Sequence, residues 1–116
     1  PVACAAALAA IEEMETHDLP GRAREIEKIV RTHLEPLVEL DGVRELRGRG
    51  AMIALELEDG AATADVASAC KEQGVLILTC GMDGNVIRLL PSLVIPANLL
   101  VEGLEILAGA IRERVA

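Results

Sequence analysis

Apolar residues at helical spacing predict two helices in the first third of the chain. An Ala-rich stretch predicts a helix from Pro1 to about Thr16, because proline is preorganised for a first helical position. A second helix is predicted to begin near Gly21 and to end or kink at Pro36, which lacks a backbone donor. Its inward positions are Ala23, Ile26, Val30, His33, Leu34 and Leu37.

Between residues 41 and 59 the apolar pattern changes to a period of two. Ile53, Leu55 and Leu57 alternate with small or acidic residues, which predicts a half-buried strand. The glycines of Gly48-Arg49-Gly50 indicate a bend that leads into this strand. The pattern lacks the third glycine, the Lys-Ser/Thr pair and the following helix of a phosphate-binding loop, so a bend is the better interpretation.

The following segment predicts a third helix and a hairpin. Thr63 can cap the helix and Gly74 can close it. Strands at residues 75–79 and 86–90 are predicted to pair in antiparallel fashion through a tight turn at Asp83-Gly84. The inward positions of the third helix are Val66, Ala67 and Cys70.

A last helix is predicted to begin around Pro96. Its buried positions are Leu100, Leu104, Leu107, Ile111 and Val115. Strands in hairpins with helices between them predict an α+β fold, with one small antiparallel sheet and helices packed on one face. Residues 1–116 fit a single domain, since this length and an apolar content of 52% suffice for one core.

Arg88 lies in the most apolar stretch of the chain, residues 85–91, and its charge cannot be neutralised. Alternation places it on the strand face opposite to Ile87 and Leu89, so one face can be core while the other carries the guanidinium. A planar fork of donors fits a carboxylate, which leaves a structural ion pair or a subsite for an acidic small molecule. Because most charged residues are paired or solvated, the residues alone favour the ion pair.

Composition argues against several partners. The chain has no aromatic residue on which bases could stack, and its net charge of −8 repels phosphate backbones, so nucleic acid is not expected. No apolar run approaches the roughly 18 residues needed to cross a bilayer, so no membrane contact is expected. The odd number of cysteines, without a Cys-x-x-Cys pair, predicts reduced, cytoplasmic thiols: Cys4, Cys70 and Cys80.

The remaining polar candidates have ordinary structural interpretations. His17 and His33 lack the neighbouring ligands of a metal site, so neither is a catalytic or metal-binding candidate. Cys4 and Cys70 are interpreted as small core residues. Three arginines near the bend are expected to form ion pairs on a strand rim: Arg44, Arg47 and Arg49.

Four segments carry a more specific pattern: PVACAAAL at 1–8, VRELRGRGAMIALEL at 43–57, LILTCGMDGNVIRLLP at 76–91 and GLEIL at 103–107. Together, and in this order, they resemble the C-terminal small domain of the class III (omega-amino acid) aminotransferases, within them most closely the 4-aminobutyrate group. The resemblance implies the C-terminal domain of a fold type I aminotransferase, with residues 1–18 as the helix that leads in from a larger domain.

The resemblance also implies that the larger domain and the small domain have different roles. The family holds pyridoxal 5'-phosphate on the larger domain, where a lysine forms the Schiff base; Lys28 and Lys71 do not match that position. No catalytic or cofactor-binding residue is therefore expected in this chain, which alone should be inactive. The motif maps onto Arg88 the arginine that binds the α-carboxylate of glutamate or 2-oxoglutarate. The implied reaction transfers the amino group of 4-aminobutyrate to 2-oxoglutarate.

Two departures from the family pattern leave alternatives open. Ser92 stands where members usually have a second proline, which mainly affects chain stiffness and does not change the assignment of Arg88. The turn at Met82-Asp83 lacks the frequent aromatic, and because that turn approaches the active site in the family, the amino donor could instead be of the 5-aminovalerate or acetylornithine type. A free-standing amino-acid-binding regulatory module and a structural dimerisation domain are further alternatives. The absence of an initiating Met suggests a fragment, whose exposed apolar surface should make it a homo-oligomer.

Overall fold

The computed structural model describes residues 1–115. They form four α-helices and four strands, with one short 3₁₀ helix. In chain order the elements are α1 (Val2–Thr16), α2 (Leu19–Leu34), the 3₁₀ helix (Glu35–Glu39), β1 (Val43–Arg49), β2 (Met52–Leu57), α3 (Gly60–Glu72), β3 (Leu78–Cys80), β4 (Val86–Leu89) and α4 (Ala97–Val115).

Helix α1 agrees with the predicted first helix at both ends, and every one of its residues is exposed. It makes the domain elongated, with a longest dimension of 51 Å against 26 and 25 Å. Asp18 follows it in a left-handed conformation with a φ of 42°. The Asp18 carboxylate accepts the Gly21 N–H at 3.1 Å and so caps α2, which begins two residues before the predicted start.

The end of α2 agrees with the prediction from Pro36. The α-helix stops at Leu34, and the chain tightens into the 3₁₀ helix that contains this proline. Ile26, Val30 and Leu34 are fully buried along α2, while Ala23 and His33 at its margins are half-buried. The helix therefore presents one apolar face to the core.

The four strands form one antiparallel sheet in the order β1-β2-β4-β3. One face of the sheet is apolar and lies in the same buried cluster as side chains of α2, α3 and α4. The side chains of this core face are Leu46, Ile53, Leu55, Leu57, Ile87 and Leu89. The other face carries no helix of the described core, so the α+β layer structure predicted from the sequence is confirmed.

Thr63 does not cap α3, contrary to the prediction. Asp59 takes that position, because its carboxylate accepts the backbone N–H groups of Ala61 at 3.2 Å and Ala62 at 3.0 Å. Thr63 is fully buried one turn later, and its hydroxyl donates to the Asp59 carbonyl at 2.7 Å. The third helix consequently begins three residues before the predicted cap.

The strand predicted at residues 75–79 is shorter and shifted to Leu78–Cys80. Gly74 adopts a φ of +86°, as a helix-closing glycine requires, but the Val75 N–H still donates to the Cys70 carbonyl at 2.8 Å. The backbone N–H of Val75 therefore bonds to the end of α3 and is not available for pairing in the sheet. The other predicted strand, 86–90, agrees with β4 except for Leu90.

Candidate functional site

The candidate site lies on the open face of the sheet, opposite to the helices. Arg88 on β4 is paired with Ala54 on β2 and with Leu78 on β3. Ala54 is paired in turn with Arg47 on β1. Paired residues point to the same side of a sheet, so these four side chains form one row across all four strands.

Arg88 is half-buried, and its Nε is buried without a hydrogen-bond partner among the described residues. Within that part of the chain no carboxylate lies in ion-pair distance of it, so the structural ion pair favoured by the residues alone is not formed. A buried donor that has lost water without gaining a partner carries a free-energy cost. An anion that reached this guanidinium would remove that cost.

A groove of about 560 Å³ runs beside Arg88 on this face. Ala54 lines it, and its small side chain stands between those of Arg47 and Arg88 in the row. The residues that line the groove are Arg47, Gly48, Arg49, Met52, Ile53, Ala54, Cys80, Gly81, Val86 and Arg88. Three guanidinium groups and a mostly apolar wall suit a small acidic molecule.

Arg47 is already paired with acidic residues of the sheet. It contacts Glu45 on its own strand and Glu56 on β2, the latter with 2.7 Å between Nη1 and Oε2. The hydrogen bond from Arg47 is the main cause that lowers the pKa of Glu56 below its ordinary value. Arg47 therefore carries the ion pair expected for it, and its charge is compensated.

The two other arginines near the bend differ from each other. Arg44 pairs with Glu58 at 3.1 Å and with Glu56 at 3.4 Å, as expected for a strand rim. Arg49 forms no ion pair with any residue of the described chain, so the same expectation is wrong for it. Arg88 and Arg49 thus line the groove without an ion pair to any described residue, although the charge of Glu27 acts on Arg49 at longer range.

The bend at Gly48–Gly50 is the tip of the β1-β2 hairpin, as predicted. Gly48 has a φ of +140°, and a Cβ placed on it would lie 2.3 Å from the Met52 carbonyl oxygen. Gly50 has a φ of +60°. Both conformations favour glycine, which explains the two glycines without a phosphate ligand.

The other sequence candidates lie away from this groove. His17 contacts Glu13 at 3.2 Å on the exposed end of α1, and Nδ1 of His33 lies 2.8 Å from the Ile29 carbonyl. Lys28 and Lys71 are exposed on α2 and α3. Among residues 1–115 no cluster of His, Cys, Asp or Glu has the arrangement of a metal site.

The cysteines occupy three different environments. Cys70 is a core residue, as predicted, and its burial raises the pKa of the thiol. Cys4 is exposed on α1, so its interpretation as a core residue is wrong; α1 buries none of its side chains within the described structure. Cys80 is half-buried at the edge of the groove.

None of the described helices has both the length and the apolar character that crossing a membrane requires. Helix α4 is the longest, with 19 residues, but Arg112 and Arg114 lie in its last turn.

The sequence and the fold of the chain both match a known class of protein. Residues 1–111 match the family of class-III aminotransferases, and the chain belongs to this family. The 4-aminobutyrate aminotransferase of Mycobacterium tuberculosis is 48% identical over 97% of the chain, and that of Mycobacterium leprae is 51% identical over 93%. The chain spans only 27% and 26% of the length of these relatives.

Solved structures of aminotransferases have the same fold. An aminotransferase from Bacillus anthracis superposes with a TM-score of 0.86 at 29% identity, over 97% of this chain and 28% of that one. Acetylornithine aminotransferase from Elizabethkingia anophelis gives a TM-score of 0.85 at 32% identity, over 97% of this chain and 29% of the other. The chain therefore has the fold of the corresponding segment of fold type I aminotransferases.

Proposed function

We propose that the chain is the C-terminal small domain of a pyridoxal-phosphate-dependent 4-aminobutyrate:2-oxoglutarate transaminase. The whole enzyme would transfer the amino group of 4-aminobutyrate to 2-oxoglutarate and release succinate semialdehyde and glutamate. The observation that carries this proposal is the buried, unpartnered Nε of Arg88 on the open face of a class-III aminotransferase domain.

In this proposal Arg88 binds the α-carboxylate of 2-oxoglutarate and glutamate. Its half-buried position restricts the guanidinium, and the small side chain of Ala54, its partner on β2, leaves the neighbouring space on the sheet free. A restricted guanidinium loses little conformational entropy when a carboxylate binds, and a charge-assisted pair in a partly dry groove is stronger than one in water. Arg88 would thus orient the acid without taking part in bond breaking.

The residues of this chain do not fit the cofactor itself. Pyridoxal phosphate needs a lysine for its Schiff base, and the two lysines of the chain are exposed on helix surfaces away from the groove. When bound, the cofactor supplies the electron sink for the transfer. We therefore assign it to the rest of the protein, with residues 1–18 as the helix that leads in from that part.

The relatives support 4-aminobutyrate as the amino donor. Those named 4-aminobutyrate aminotransferase reach 51% identity, whereas the 5-aminovalerate aminotransferase of Pseudomonas putida is 35% identical over 97% of the chain. 5-Aminovalerate, which is one carbon longer, is the second candidate donor. Acetylornithine is a third, since the Elizabethkingia anophelis enzyme shares the fold at 32% identity.

The proposed enzyme is a cytoplasmic homo-oligomer. Its free cysteines, including the half-buried Cys80, fit a reducing compartment. Large apolar side chains remain exposed around β3 and the segment after β4, and such surface is usually covered by other protein. They are Leu76, Leu78, Leu90, Val94 and Leu99.

The test compares amino donors on the full-length enzyme encoded with this segment. With 2-oxoglutarate as acceptor, 4-aminobutyrate should give a higher kcat/KM than 5-aminovalerate or acetylornithine. A preference for either of the others would replace the proposed donor and keep the transaminase class. No glutamate formation with any of the three would overturn the proposed function.

A further inference from the structure

A carboxylate on α2 is bonded to the tip of the β1-β2 hairpin. Oε2 of Glu27 accepts the backbone N–H of Gly50 at 2.7 Å, across 23 residues of sequence. Oε1 of the same carboxylate accepts Nε of Arg31 at 3.0 Å. The hydrogen bond from Gly50 and then that from Arg31 lower the pKa of Glu27, so the group is charged at neutral pH.

Arg31 completes the connection on the other side of the tip. Its Nη2 donates to the Gly48 carbonyl at 3.2 Å, and its Nη1 contacts Glu35 at 3.4 Å. Gly48 and Gly50 are the two neighbours of Arg49, so a backbone group on each side of Arg49 is bonded to one helix. The side chains of Glu27 and Arg31 are 24% and 31% exposed, which limits competition by water.

The hairpin tip needs such a constraint because its two glycines make the backbone flexible. Both glycines have positive φ values, which an unconstrained glycine exchanges readily for others. Arg49 is paired with Met52 at the end of the β1-β2 ladder, and both side chains line the groove that contains Arg88. Any movement of the tip would therefore change the position of a guanidinium that faces the groove.

We propose that Glu27, acting with Arg31, is a positioning residue that holds the hairpin tip so that Arg49 and Met52 form a fixed wall of the acid-binding groove. This inference rests on the proposed function for the identity of the acid, 2-oxoglutarate. Glu27 touches no substrate in this scheme. Its carboxylate is hydrogen-bonded to Gly50 and Arg31, and its charge also attracts Arg49, which helps to keep that side chain at the tip.

The test uses the full-length enzyme with Glu27→Ala and Glu27→Gln. Glu25→Ala is the matched control, because Glu25 lies on the same helix and, among residues 1–115, forms an ion pair only with the nearby Arg22, at 3.0 Å. Steady-state kinetics give KM for 2-oxoglutarate and kcat. Hydrogen exchange reports the protection of the tip, and calorimetry measures binding of glutarate, an unreactive dicarboxylate.

We expect Glu27→Ala to raise KM for 2-oxoglutarate by about tenfold with kcat retained, since small misplacements of a positioning group cost up to about a hundredfold. Protection of residues 49–51 should be lost, and glutarate affinity should fall in parallel with the rise in KM. Glu27→Gln keeps an amide oxygen for the Gly50 N–H, but its NH2 group would face the Nε–H donor of Arg31, so it should restore only part of both properties. Glu25→Ala should resemble the wild type.

Two results would overturn the positioning role. Unchanged protection of the tip in Glu27→Ala would mean that the connection does not restrain it. Lost protection with unchanged KM and unchanged glutarate affinity would leave Glu27 a purely structural residue. If the wild type forms no glutamate, the proposed function fails separately, and glutarate binding then decides: weaker binding in Glu27→Ala supports the inference, while no difference or no binding overturns it.

Discussion

Ala54 and Arg88 lie directly opposite each other on β2 and β4, and the methyl group of Ala54 leaves the guanidinium without a neighbour on that strand. Side chains in such a pair are about 4.5–5.5 Å apart at Cβ, close enough for a longer residue on β2 to reach Arg88. The small residue at this position thus leaves room for the acid that the proposed function assigns to Arg88.

Ala54→Glu should therefore inhibit the enzyme through an internal ion pair. The new carboxylate would occupy Arg88, and KM for 2-oxoglutarate should rise by at least about tenfold, because a competing bonded charge must first be displaced. Ala54→Gln has nearly the same volume without the charge and serves as the control. Equal losses in the two variants would indicate steric blocking and would argue against a carboxylate site at Arg88.

Arg88→Ala should separate the two half-reactions. Loss of a charge-assisted contact costs about 2–5 kcal/mol when its partner is left unpaired, so the reaction with glutamate and 2-oxoglutarate should weaken strongly. The reaction with 4-aminobutyrate should suffer less, since this donor has no α-carboxylate. Single-turnover kinetics on the full-length enzyme measure both.

The melting temperature provides the second readout for Arg88→Ala. The side chain has an unsatisfied buried Nε and no ion pair within the described residues, so its removal should leave stability nearly unchanged. Arg24→Ala, at an exposed position on α2, is the control for loss of one positive charge. Equal losses for both substrates, or a large fall in melting temperature, would contradict the substrate-binding role.

The acidic residues of the sheet should make stability depend on pH. The pKa of Glu56 is lowered in the folded protein, mainly by its hydrogen bond with Arg47. A carboxyl group whose pKa is lowered by folding stabilises the folded protein at every pH above its ordinary pKa, here 4.5. This stabilisation is lost as the pH falls from that value through the lowered pKa of the folded state.

Glu56→Gln should consequently lower the melting temperature at pH 7 and make progressively less difference as the pH falls below 4.5, the ordinary pKa, towards the lowered pKa of the folded protein. Melting curves of both proteins between pH 7 and pH 3.5 measure this convergence. Glu12→Gln, on the exposed face of α1, should leave the curve unchanged. A difference that stays constant with pH would show that the ion pairs of Glu56 contribute nothing to stability.

The sequence alone predicted the face on which Arg88 lies, because alternation along a strand is local information. It did not predict that β4 pairs with β2, which places Ala54 opposite Arg88, since pairing across 34 residues leaves no periodic signal. The contact between Glu27 and Gly50 was missed for the same reason. Its only trace in the sequence was a pair of glycines that suggested a bend.

The errors in the elements also have local causes. Asp59 and Thr63 can both cap a helix, and only the burial of Thr63 decides between them. Residues 75–77 have the apolar composition of a strand, but the end of α3 uses the backbone of Val75. Cys4 was assigned to the core because the Ala-rich pattern does not tell which face of α1, if any, is covered.

Two glycine substitutions should change stability in opposite directions. Gly48→Ala must adopt a φ of +140° and would bring its Cβ within 2.3 Å of the Met52 carbonyl oxygen, so it should destabilise the protein by about 1–3 kcal/mol.

Gly103→Ala lies inside α4 with no atom within 4 Å of the added Cβ, and it should stabilise by roughly 0.5–1 kcal/mol, since alanine loses less entropy in a helix. Urea unfolding of both variants beside the wild type measures these differences. If Gly48→Ala were as stable as Gly103→Ala, residue 48 would not have the positive φ that disfavours alanine. The described geometry of the hairpin tip, which sets the position of Arg49, would then be wrong.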